Sequence, residues 1–148
     1  MITEKQIKHQ MECFGYEVFS NEEKQDSVMC HKVGAPPVLI SWEENFINFY
    51  AQYSINSIAK SNKPGFLSYL NRMNGSSTSA SLFLTKDNEN IAFANKYFGV
   101  FDRRTFANFV RFWDHDVIEV LNNDQETDMF LGSSNEIMHD NGQINAYA

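Results

Sequence analysis

Read as apolar and polar positions, the chain is punctuated most clearly between Pro64 and Leu121. Phe66, Leu67, Leu70 and Met73 recur at i, i+1, i+4 and i+7, which places four large apolar groups on one helical face. Lys63-Pro64-Gly65 opens that helix, because a first-turn proline lacks only an N–H that would go unpaired, and Asn74-Gly75-Ser76-Ser77 closes it. The period then falls to two. Ala80, Leu82 and Leu84 alternate with Ser81, Phe83 and Thr85, and after the turn Asp87-Asn88-Glu89-Asn90 a second run places Ile91, Phe93, Asn95 and Tyr97 on one side. Alternation on both arms of a short polar turn predicts an antiparallel hairpin with one buried face. Asp102 then caps a helix over residues 103–121, with Phe101 and Phe106 placed as a hydrophobic staple. Phe106, Phe109, Val110, Trp113, Val117, Val120 and Leu121 make a stripe wide enough to cover a sheet. Arg103 and Arg104 fall in its first turn, where a positive charge opposes the helix dipole; either a nearby carboxylate offsets them or their placement is incidental.

The preceding stretch reads in the same terms. Thr3 and Gln6 have capping-box spacing, and Ile7, Met11 and Phe14 follow at i, i+4 and i+7 until Gly15, so a helix is predicted over residues 3–14. Short strands are predicted at 16–20, 28–33, 38–42 and 45–53, separated by the charged loop 21–26, by Gly34-Ala35-Pro36-Pro37 and by Glu43-Glu44. Gaps this short favour a meander over parallel crossovers. In the last of these strands both parities carry bulky groups, so it is expected to be central or to meet a second surface; Phe46, Phe49, Tyr50 and Tyr53 are its candidate protein-contact residues. Residues 54–62 read as a polar link.

After Leu121 the pattern fades. Residues 122–148 contain Asp124, Glu126, Asp128, Glu136 and Asp140 and no lysine or arginine, so they bury too little apolar surface to offset ordering entropy. The expectation is one α+β domain over 1–121 and a largely flexible acidic tail over 122–148, with Met129-Phe130-Leu131 as a possible apolar anchor within it.

Composition narrows the function classes. A net charge of −7 lacks the basic footprint that duplex nucleic acid or an anionic membrane requires, and suits neutral or basic partners. There is no apolar export segment and no window approaching a membrane span, so a cytoplasmic protein is expected. Cys13 and Cys30, on a helix and a strand without C-x-x-C spacing, read as buried free thiols. His9, His31, His115 and His139 are dispersed, and no metal or cofactor is expected. Asp114-His115-Asp116 has catalytic residue types, but consecutive helical positions diverge by about 100 degrees and cannot converge on one ion, so it reads as a solvated face. The glycines form no phosphate-binding pattern.

Taken in order, helix, three or four meandering strands, helix, hairpin and helix resembles the type III secretion chaperone-like fold, and more closely the YbjN family of bacterial proteins assigned to sensory transduction regulation. The resemblance rests on Phe66-Leu67-Ser68-Tyr69-Leu70-Asn71-Arg72-Met73-Asn74, which matches a Leu-Asn-x-x-Asn helix end, on Ser81–Asp87 and Ile91-Ala92-Phe93, and on the amphipathic helix from Arg103 to Leu121. It covers about residues 2–121. The tail has no counterpart, and the hairpin and last helix are richer in aromatics than the family pattern. The resemblance implies an antiparallel α+β protein that is not an enzyme, acts through protein or peptide contacts and is commonly a homodimer. It also implies that Asn71 and Asn74 cap or bridge the helix end. Two further readings stay open: an immunity or inhibitor protein for a basic toxin, and a small enzyme with a site between the sheet and the 64–74 helix, using His31 or Glu44.

Overall fold

The computed structural model describes residues 2–131. Its first helix, α1 (Glu4–Cys13), begins with the predicted reciprocal cap: the Gln6 N–H donates to Thr3 Oγ1 at 3.3 Å and the Thr3 N–H to Gln6 Oε1 at 3.0 Å. Gly15, at φ +86°, turns the chain into four strands, β1 (Glu17–Ser20), β2 (Ser27–His31), β3 (Val38–Trp42) and β4 (Phe46–Ser54). The polar link expected over 54–62 contains a short helix, α2 (Ser57–Ser61), followed by α3 (Lys63–Ser76). Two asparagines six residues apart explain this: Asn56 accepts the Ala59 N–H and Asn62 accepts the Gly65 N–H, each capping one helix.

The hairpin follows as β5 (Ser81–Leu84) and β6 (Asn90–Phe98), and Asp102 caps α4 (Arg103–Asp114). The staple is present, with the Phe101 and Phe106 rings 5.3 Å apart. One antiparallel sheet results, in the order β1-β2-β3-β4-β6-β5. The first four strands meander as expected. Then α2 and α3 carry the chain across, so that β6 rather than β5 lies beside β4, in nine-residue register from Phe46↔Phe98 to Ser54↔Asn90.

The core lies between one face of this sheet and the helices. Val28, Val38, Ile40, Ile47, Phe49, Ile91 and Phe93 meet Ile7, Met11, Phe66, Tyr69, Met73, Phe106, Val110 and Trp113, all buried. Asn74 also bridges as expected, but to a strand: its amide oxygen accepts the Leu82 N–H and its nitrogen donates to the Leu82 carbonyl, both at 2.8 Å. This occupies the outward backbone groups of Leu82 on the edge strand β5.

Three departures have physical causes. The long last helix is interrupted by a π-helical turn, His115–Val120, before the short α5 (Leu121–Asn123). Within that turn Asp116 is fully buried, which corrects the expectation of a solvated face. Its carboxylate accepts the N–H groups of Thr78, Ser79 and Ala80 at 2.7, 2.8 and 2.8 Å, the last turn before β5. Second, residues 122–131, grouped by composition with the tail, pack on the domain. α6 (Thr127–Leu131) places Phe130 against Phe66 and Tyr69 at 5.5 and 5.3 Å, and Arg72 clamps Asp124 and Glu126. Residues 132–148, with His139, Glu136 and Asp140, lie outside the described residues. Third, Cys30 is buried, but Cys13 at the end of α1 is exposed, because the buried stripe of that helix passes through Ile7 and Met11.

Candidate functional surface

Strand β4 decides where a contact surface can be. Its residues alternate strictly between the two sides of the sheet, so the four aromatics singled out in the sequence separate by parity. Phe49 and Tyr53 face the helices, a correction to their assignment as contact residues. Phe49 is fully buried with its ring 4.9 Å from Phe109, 5.3 Å from Trp113 and 5.9 Å from Phe106. Tyr53 donates its hydroxyl to the Val117 carbonyl at 3.3 Å, in the π-helical turn, and meets Phe93 edge to face. Phe46 and Tyr50 take the other parity and face away from the core, both half-buried.

On that outer side the strand register lines up a row that sequence reading of single strands missed: Phe19, Met29, Leu39, Tyr50 and Ala94 stand side by side across β1, β2, β3, β4 and β6. Phe83 and Ala92 stand in the adjacent row with Gln52, and Phe46 pairs with Phe98 further along. Phe19 is 50% exposed, Phe83 43% and Phe98 70%, which is unusual for three phenylalanines on one sheet face. Polar groups rim the patch. Lys96 Nζ lies 4.8 Å from the Phe46 ring centre, Gln52 Nε2 donates to the Tyr50 hydroxyl, and His31 meets the Phe19 ring edge to face. Desolvation in that setting lowers the pKa of His31, against a smaller opposing pull from Glu17. The signal that could have found the patch was present in each strand as alternation, but only the register shows which residues become neighbours.

The residues with catalytic types are committed to structure. Asp114 accepts the Tyr16 hydroxyl at 2.5 Å and Lys32 Nζ at 2.8 Å, tying α4 to the β1 and β2 ends. Burial and then the Asp114 charge push the Tyr16 hydroxyl far above its ordinary pKa, so it stays a donor. An open cleft of about 620 Å³ beside this pair is lined by Lys32, Thr78, Arg111, His115 and Glu119. There the Thr78 hydroxyl lies 3.5 Å from His115 Nδ1, the same ring nitrogen that meets the Asp116 carboxylate at 3.2 Å, so the imidazole does not relay a proton between the two as a catalytic triad requires. Burial alone would raise the pKa of Asp116, yet the Ala80, Thr78 and Ser79 N–H groups outweigh it and hold the carboxyl below the usual range. Glu44 lines a small depression with Ile2 and Val100, while His31 lies on the outer face, so the two do not converge. Among the described residues no three His, Cys, Asp or Glu side chains cluster as a metal site would require. No described helix is long and apolar enough to cross a membrane.

Two solved structures share this architecture. The crystal structure of YbjN from E. coli, proposed to be a transcription regulator, is 21% identical with a TM-score of 0.59, over 80% of this chain and 88% of that one. A chain of the heterodimeric ExoU–SpcU complex from the type III secretion system of Pseudomonas aeruginosa is 13% identical with a TM-score of 0.52, over 76% of this chain and 89% of that one. At these identities the likeness is one of fold, and it is the α+β fold to which the Phe66–Asn74 motif and the order of elements pointed. No family model matches the chain, and no curated protein matches it in sequence.

Proposed function

We propose that this chain is a non-enzymatic protein-binding module, regulatory or chaperone-like, that works in the cytoplasm and joins a protein partner, first of all a second copy of itself, through the outer face of its sheet. The observation that carries this is the apolar row from Phe19 through Met29 and Leu39, continued by Phe83 and Phe98, on the face opposite the packed helices, with no second layer among the described residues. Exposed apolar surface rimmed by polar groups is stabilised by a partner, because burying it removes apolar area from water at about 25 cal/mol per Å². An edge-addition mode fits β5 less well, since Asn74 already occupies the outward backbone groups of Leu82. The heterodimeric assembly of one structural neighbour supports a protein partner for this fold.

The test is the mass in solution. Light scattering on the full chain is expected to give twice the 17.1 kDa chain mass, and Phe83→Ser combined with Phe19→Ser to return it to the monomer. A stable interface needs roughly 1,200 to 2,000 Å² in total. A strict monomer at all concentrations, together with no stoichiometric protein captured from the native cell, would overturn the reading.

A further inference from the structure

A second surface, on the helical side of the molecule, carries an independent assignment. Between α1 and the start of α4 lies a cleft of about 550 Å³, within the range of small-molecule sites. Its walls are cationic although the protein carries a net charge of −7: Lys5 comes from α1 and Arg103 from the first turn of α4. Among the described residues neither makes an ion pair. The lone carboxylate of the cleft, Asp102, is engaged as the helix cap, accepting the Thr105 N–H and hydroxyl, each at 2.8 Å. Asp102 also offsets Arg104 electrostatically, but no carboxylate of the described fold does so for Arg103, which is left unfavourably placed at the positive end of a twelve-residue helix.

The floor of the cleft supplies the second observation. Gln10 lies on the inner side of α1, only 6% exposed, and its side-chain amide has no hydrogen-bond partner among the described residues. Its polar atoms keep contact with the solvent of the cleft, so they are open to a ligand there. Phe101 forms an apolar wall beside it.

We propose that this cleft binds a small organic anion, its carboxylate or phosphate held between Lys5 and Arg103 at the N-terminal end of α4. The Gln10 amide bonds a polar atom of the ligand and Phe101 covers its apolar part. An anion there pairs Lys5 and Arg103, relieves the unfavourable placement of Arg103 and gives the Gln10 amide a partner. The cleft is built from helices that pack on the inner side of the sheet, so the assignment does not depend on the outer-face contact proposed above.

NMR titration of the full chain with phenyl phosphate, benzoate and the neutral benzyl alcohol tests it. Either anion is expected to shift the Gln10 side-chain amide and the 103–105 backbone amides saturably, with a Kd of about 1 mM or tighter, and benzyl alcohol to leave them in place. Arg103→Gln is expected to weaken the anion about tenfold, as loss of one charge-assisted contact does, while leaving or raising the melting temperature of the empty protein. Gln10→Leu is expected to abolish the saturable shift with the remaining spectrum unchanged. Absence of saturation with both anions, equal response to benzyl alcohol, or an Arg103→Gln protein that is destabilised when empty yet binds as before would each overturn the proposal.

Discussion

Asp116 shows what one residue can do when the fold rather than the sequence decides its surroundings. Its carboxylate joins the last helix to the turn before β5 through three backbone N–H groups that are 36 to 38 residues away in the chain. Replacing it by alanine leaves the buried Ala80 N–H unpaired and returns the part-buried Thr78 and Ser79 N–H groups to water, and we expect a loss of about 2 to 3 kcal/mol in urea unfolding. The sign of the pH dependence follows from its lowered pKa. The carboxylate's contribution is full above the unfolded Asp value of about 3.9 and disappears as pH falls through the lower folded value, so Asp116→Asn should differ from the parent least in acid. The cysteines offer a second check. Burial pushes the Cys30 thiol up to about 12, whereas Cys13 is exposed, so a thiol reagent should modify Cys13 in the native protein and reach Cys30 only on unfolding. Residues that act on their chain neighbours were legible in advance: Thr3, Gln6, Phe101 and Asp102 take the capping and staple roles that their spacing predicts.

Among the elements, the hairpin strands and α4 form where alternation and the three-four spacing place them, since each needs only its own residues to define a face. The segment after Leu121 behaves differently. Its acidic composition argues against packing, yet Arg72 holds Asp124 and Glu126 while Asn56 bonds the Phe130 carbonyl through its backbone N–H and the Met129 carbonyl through its side chain. The acidic residues are therefore part of the attachment. Phe130 fills the space beside Phe66 and Tyr69, and Phe130→Ala should cost about 3 to 5 kcal/mol by thermal or urea unfolding, the scale of a buried aromatic removed. Asn74→Ala should cost about 1 to 2 kcal/mol through the two lost Leu82 bonds. The same variant frees the β5 edge, so increased aggregation on size exclusion is expected with it.

At the scale of the whole molecule the sheet has two unlike sides, one covered by helices and one carrying an apolar row with nothing in the described residues packed along it as a second layer. Phe83→Ser should change monomer stability by no more than about 0.5 kcal/mol, because its ring is 43% exposed, while weakening self-association on light scattering. The sequence by itself determined the fold class, the succession of α1, the meander, α3, the hairpin and α4, and the caps and inner stripes of α1 and α4, because caps and stripes depend on side chains within four residues of one another; on α3 it placed Leu67 inward, where the structure exposes it and buries Tyr69 instead. Only the tertiary structure decided that Phe49 and Tyr53 turn inward while Phe19, Met29 and Phe83 assemble outside, that Asp116 is buried, and that Gln10 faces a cationic cleft. Each of those outcomes depends on which distant segment arrives opposite a residue, and alternation along one strand is the same whichever side the helices come to cover.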